Sequence, residues 1–117
     1  SNGDVDCNIA IGKSALGVGD VSGCNNIAIG TTAADALTTG SCNIALGTSA
    51  LGAATTGVWN IAIGNAAMGT GVTIIGGGAC GCDNLAIGRS AMSIITQGTN
   101  NYNCCCDNYS SNFICVF

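Results

Sequence analysis

Proline, histidine and glutamate are absent from these 117 residues, and the only cations are Lys13 and Arg89. Without an imidazole, nothing can activate a serine as in the usual catalytic triad. General acid–base chemistry would fall to Asp, Cys, Tyr or Lys. The six carboxylates (Asp4, Asp6, Asp20, Asp35, Asp83 and Asp107) share no common position in the pattern described below, so no catalytic pair emerges. Enzyme activity is not expected, and neither is a cofactor. A net charge of −4 with two cations also argues against nucleic acid, which is bound through dense Lys/Arg contacts to phosphate.

Charge of either sign is scarce: 7% of residues, where a soluble domain carries about a quarter. Surfaces that poor in charge tend to associate, so much of this one is expected to lie against other copies of the chain. Long apolar runs are missing too. The longest aliphatic cluster, Val72-Thr73-Ile74-Ile75, falls far short of the roughly 20 residues that span a bilayer. No membrane span is expected. The chain opens Ser-Asn-Gly-Asp, with neither Met nor an apolar leader, which points to processing or to a piece of a longer chain.

What the chain does have is repetition. Asn-Ile/Leu-Ala-Ile/Leu-Gly occurs five times, beginning at Asn8, Asn26, Asn43, Asn60 and Asn84. Each copy is followed by two small or polar residues and then Ala (Ala15, Ala33, Ala50, Ala67, Ala91). Starts lie 18, 17, 17 and 24 residues apart, too close for one unit to bury its own apolar groups, so the units must stack. Alternating Ile-Ala-Ile indicates a strand with one face packed inside. The aliphatic pairs Ile9/Ile11, Ile27/Ile29, Ile44/Leu46, Ile61/Ile63 and Leu85/Ile87 are the expected core. The Ala column opposite them would admit a second surface.

Gly12, Gly30, Gly47, Gly64 and Gly88 end each strand at a corner. A second short strand is expected at Ser14-Ala15-Leu16 and Ser49-Ala50-Leu51, and a second corner at Thr38-Thr39-Gly40 and Thr55-Thr56-Gly57. Helices are disfavoured, since each interior Gly costs about 1 kcal/mol. The repeat asparagines are expected to form a structural ladder, each amide bonded to the copies on either side. The fold class is therefore all-β: a parallel β-solenoid, or β-roll, of about five to six coils.

Nine cysteines point to an oxidising, extracellular setting. Cys7, Cys24 and Cys42 stand one or two places before a repeat Asn, as does Cys82, while Trp59 takes that place before Asn60. Rungs about 4.8 Å apart would allow rung-to-rung disulfides, whose Cα atoms lie about 5.5 Å apart. Cys80, Cys104, Cys105, Cys106 and Cys115 complete the candidates, and the odd total leaves at least one thiol free or joined to another chain. Cys80-Gly81-Cys82 with Cys104-Cys105-Cys106 is too tightly spaced for an ordinary zinc site, so no metal is expected. Regularly placed Asp for calcium is missing as well. Gly76-Gly77-Gly78-Ala79-Cys80-Gly81 matches a dinucleotide fingerprint only formally, because a repeat strand follows it and no helix does.

Residues 1–97 are read as the repeat region, with a loop insertion at 69–83. Residues 98–117 are read as a Cys-rich loop ending in an apolar assembly strand with Phe113, Ile114, Val116 and Phe117, all within one domain. Neither end carries a polar cap, so subunits are expected to abut or to complete one another.

The units Asn-Ile-Ala-Ile-Gly-x-x-Ala-Leu, with Thr-Thr-Gly before the next Asn, resemble the repeats of trimeric autotransporter adhesin heads and of related phage and algal-virus tail-fibre proteins. The resemblance runs from Asn8 to about Gly98. It implies a left-handed β-roll, commonly trimeric, displayed on a cell or virion surface for attachment; unlike those heads, this chain is rich in cysteine. The function expected is a secreted structural subunit that self-assembles into a filament or surface fibre, with an adhesive role toward a receptor or glycan. Two other readings stay open. One is an ice-binding β-solenoid, with Thr31 and Thr48 on a shared position. The other is a glycan-binding fibre tip recognising its ligand through the loops at 69–83 and 98–111, with Trp59, Tyr102 and Tyr109 as the sugar-stacking surfaces.

Overall fold

Each repeat places its β-branched residues in a three-residue strand, the conformation that suits them best. A computed structural model describes residues 7–17, 21–54, 56–69 and 82–92, and the backbone of 102–104. The strands are β1 (Ile9–Ile11), β2 (Ile27–Ile29), β3 (Ile44–Leu46), β4 (Ile61–Ile63), β5 (Leu85–Ile87) and β6 (Tyr102–Cys104). All six pair in parallel, in chain order, within one sheet. Register repeats without slippage, so Ala28 lies on Ala45 and Ala45 on Ala62. Among the described residues there is no helix, and the arrangement is all-β and compatible with a β-solenoid.

Two bends bracket each of the strands β1 to β5. The residue before each repeat Asn has positive φ: Cys7 70°, Asn25 59°, Cys42 60°, Trp59 56° and Asp83 58°. This corner falls one residue before the Asn, whose side chain turns inward. After the strand comes a glycine in a conformation essentially closed to other residues, as at Gly47 with φ 129°. A Cβ on Gly47 would sit 2.6 Å from the Gly64 carbonyl oxygen of the next rung.

The second strand expected at Ser14-Ala15-Leu16 and Ser49-Ala50-Leu51 does not form. Those segments are turns with alternating left-handed residues, Ser14 at 57° and Leu16 at 52°, Ser49 at 55° and Leu51 at 54°. They remain tied to the neighbouring rungs, with Ser49 N donating to Thr31 O at 2.9 Å and Leu51 N to Ala67 O at 2.8 Å. Reversing φ at every other residue breaks the in–out alternation of a strand. Neighbouring residues can then both point inward, and Ala50 with Leu51, and Ala67 with Met68, are all buried.

The expected core is also inverted. Ala28, Ala45, Ala62 and Ala86 are fully buried, together with Ala33, Ala50, Ala67, Ala91, Leu37 and Leu51. The aliphatic pairs face outward instead: Ile9 is 49%, Ile11 58%, Ile29 39% and Ile87 40% exposed. Ile27, Ile44, Leu46, Ile61, Ile63 and Leu85 are part-exposed. The cause is parity. In a strand, residues two apart share a face, and each buried Asn stands two before the Ala. Fixing the Asn inside puts the Ala inside and both aliphatics outside.

Residues 98–111, read as a loop, contain a sixth rung, since Tyr102, Asn103 and Cys104 pair with Leu85, Ala86 and Ile87. Nearly all of the insertion at 69–83 lies outside the described residues, as do Phe113, Ile114, Val116, Phe117, Cys80, Cys105, Cys106 and Cys115.

Candidate functional site

Three surfaces of the stack carry chemistry: the inner Asn file, the outer aliphatic face and the corner edge before each strand.

Asn26, Asn43, Asn60 and Asn84 are buried polar groups, which cost free energy unless bonded. Each donates its own backbone N–H and its Nδ2 to the Oδ1 of the preceding rung. The Nδ2···Oδ1 distances are 3.1 Å from Asn26 to Asn8, 3.0 Å from Asn43 to Asn26, 3.1 Å from Asn60 to Asn43 and 3.0 Å from Asn84 to Asn60. The second Nδ2 hydrogen goes to a glycine carbonyl on the following rung, from Asn8 to Gly23 at 2.7 Å, Asn26 to Gly40 at 2.8 Å and Asn43 to Gly57 at 2.7 Å. An amide has two donor hydrogens and an oxygen that accepts twice, so Asn26 and Asn43 are saturated. Nothing on them is left over to hold a ligand, and their role is structural. The ladder also survives the 24-residue step from Asn60 to Asn84, so the intervening insertion leaves the Asn file unbroken.

The outer face carries two aliphatic files over five strands, one on either side of the Ala file, which is buried from Ala28 to Ala86 and exposed at Ala10 on the first described rung. Parallel sheets occur almost only with both faces covered. Here one face lies against the stack's own interior, and the other presents isoleucine.

At the corner edge, one file runs Cys7, Asn25, Cys42, Trp59, Asp83, all of them exposed. The file one residue earlier in each unit contains Cys24, Ser41, Val58 and Cys82. Cys42 N donates to Cys24 O at 3.0 Å, Trp59 N to Ser41 O at 3.2 Å and Asp83 N to Val58 O at 3.3 Å, which fixes the two files. Cys7, Cys24 and Cys42 therefore do not form the single column expected for a staple. Counted back from the ladder Asn, Cys24 and Cys82 stand two places away, Cys7 and Cys42 one. Cys24 faces Ser41, whose Oγ accepts from Cys24 N at 3.1 Å. Among the described residues there is no disulfide. Cys7, Cys24 and Cys42 are exposed free thiols, while Cys82 is buried.

Trp59 is the costly member of this file. A left-handed backbone disfavours bulky side chains by roughly 1–2 kcal/mol, whereas Asn and Asp tolerate it. Trp59→Asn is therefore expected to stabilise the fold by about 1 kcal/mol, raising the melting temperature by several degrees in a thermal scan. An unchanged or lower midpoint would show that the indole's packing outweighs its backbone strain.

The Thr file expected for ice binding is interrupted. Thr31 and Thr48 are exposed, but Lys13, Asn65 and Arg89 occupy the same column, as the bonds from Thr32 N to Lys13 O and from Ser90 N to Asn65 O establish. Among the described residues no three His, Cys, Asp or Glu side chains gather as a metal site, and no helix is long and apolar enough to cross a membrane. No family model, curated protein or solved structure matches this chain.

Proposed function

We propose that the chain is a secreted structural subunit that self-assembles into an extracellular filament or surface fibre with an adhesive role, its outward aliphatic face covered by other copies. The reading assigns it a left-handed β-solenoid of five to six coils, of the kind found in trimeric adhesin heads and tail fibres. One observation carries the assembly. A parallel sheet turns Ile9, Ile11, Ile29 and Ile87 outward at 39–58% exposure, on a chain with only 7% charged residues. Burying the remaining area of each is worth about 1 kcal/mol, so four contribute several kcal/mol per subunit. The thiols of Cys7, Cys24 and Cys42 point to solvent, so oxidative cross-links in this reading reach outward, to other copies or to cysteines outside the described residues. It contains no catalytic step.

Sedimentation velocity on the reduced protein tests the proposal. The native chain should run as a trimer or larger, and Ile29→Asp with Ile63→Asp should run as a monomer with an unchanged circular-dichroism spectrum. A native chain that stays monomeric at high concentration would remove the fibre reading.

A further inference from the structure

We propose that Trp59 and Asp83 form a shallow carbohydrate subsite on the corner edge, stacking one neutral hexopyranose on the indole and binding its hydroxyls through the carboxylate. Trp59 is 60% exposed, the most exposed of the large apolar side chains among the described residues. It occupies a position with φ 56° where the other described rungs place Cys7, Asn25, Cys42 and Asp83, residues smaller than Trp. The left-handed backbone recurs at this position in every described rung and so belongs to the fold, which does not require an indole here.

The two residues are held as neighbours. Trp59 N is bonded to Ser41 O at 3.2 Å and Asp83 N to Val58 O at 3.3 Å, so Trp59 and Asp83 occupy adjacent rungs of one file. Rung spacing of about 4.8 Å is close to the width of a pyranose ring. An indole offers an apolar face to the C–H groups of a sugar and an N–H to its oxygens. An ionised carboxylate accepts from two hydroxyls at once, in charge-assisted hydrogen bonds. Recognition of a quaternary ammonium is the competing chemistry, but cages for such cations gather several aromatic rings. Among the described side chains this edge has a single one. Only its avidity rests on the fibre reading: a millimolar site gains strength when many copies engage one glycan-bearing surface.

Because the chain contains a single Trp, its fluorescence reports this position alone. The full chain is titrated with methyl glycosides of glucose, galactose, mannose and N-acetylglucosamine, with choline chloride in parallel. At least one glycoside should give a saturable change with a dissociation constant in the millimolar range. Asp83→Asn, which suits the left-handed backbone, should weaken that glycoside about tenfold. Silence from all four glycosides, a response to choline instead, or an unchanged constant in Asp83→Asn would each overturn the subsite. Sedimentation of the same samples keeps the two readings separate. A monomer that binds sugar removes the fibre alone, and an assembled protein blind to sugar removes the subsite alone.

Discussion

Asn43→Ala is expected to cost roughly 3–6 kcal/mol, enough to unfold most or all of the stack at ambient temperature. The deleted amide occupies the middle of the ladder. Its oxygen accepts Asn60 N at 2.9 Å and Asn60 Nδ2 at 3.1 Å, and its Nδ2 donates to Asn26 Oδ1 at 3.0 Å and Gly57 O at 2.7 Å. Alanine orphans the Asn60 N–H and the Gly57 carbonyl and strips one bond each from Asn60 Nδ2 and Asn26 Oδ1. Asn26, Asn43 and Asn60 are at most 1% exposed, so water cannot take over those bonds. Each lost partner costs about 1–3 kcal/mol. Asn8→Ala removes the same kinds of bond at the first described rung, where Asn8 is only part-buried and water can substitute, so about 1 kcal/mol is expected there. Thermal denaturation followed by circular dichroism ranks the two. Equal shifts, or an Asn43→Ala midpoint within a degree or two of native, would mean the ladder is not what holds the rungs.

Asn43→Asp sharpens the contrast. It keeps the acceptor oxygens but faces a buried carboxylate with the oxygens of Asn26 and Gly57, to which Asn43 had donated. Its cost should exceed that of alanine at neutral pH.

The repeat, its period and its strands were legible because each copy contains its own stop signal, a glycine where φ near 130° is required. The ladder was legible for a similar reason: one amide type at one position in every unit has few other uses. The direction of the side chains runs against their hydrophobicity. Hydrophobicity alone assigns Ile to the inside and Ala to a contact face, yet the Asn shares parity with the Ala, and a dry ladder must face inward. That parity stands in the sequence and was sufficient to settle the question. The turns at Ser14-Ala15-Leu16 are not legible in the sequence, because alternating positive φ on Ser, Thr, Ala, Leu and Met leaves no compositional mark where glycine would be the usual sign. The sixth rung was hidden because Tyr102-Asn103-Cys104 shares none of the aliphatic pattern, although Asn101 precedes it as Asn84 precedes β5. The cysteine column failed on a count of one residue, the difference between Cys24 and Cys42 measured from their ladder Asn.

The inverted core leads to the second large effect. Ala45→Ile should destabilise more than Ile44→Ala does, the reverse of the order in an ordinary core. Ala45 is fully buried and stacked in register between Ala28 and Ala62, with Ala50 and Leu51 in the same cluster. An added ethyl and methyl group has no room unless the rungs separate, and separating them stretches the ladder at Asn43 and Asn60. Overpacking of this kind costs about 3 kcal/mol. Ile44 is part-exposed on the outer face. Truncating it gives up some strand preference and partial burial, about 1 kcal/mol in the isolated subunit. Its larger effect should fall on self-association, which sedimentation of the same variant reads directly. Should Ile44→Ala prove the more damaging to folding while leaving association untouched, the isoleucines would be filling an interior, and no free aliphatic face would exist for another copy to cover.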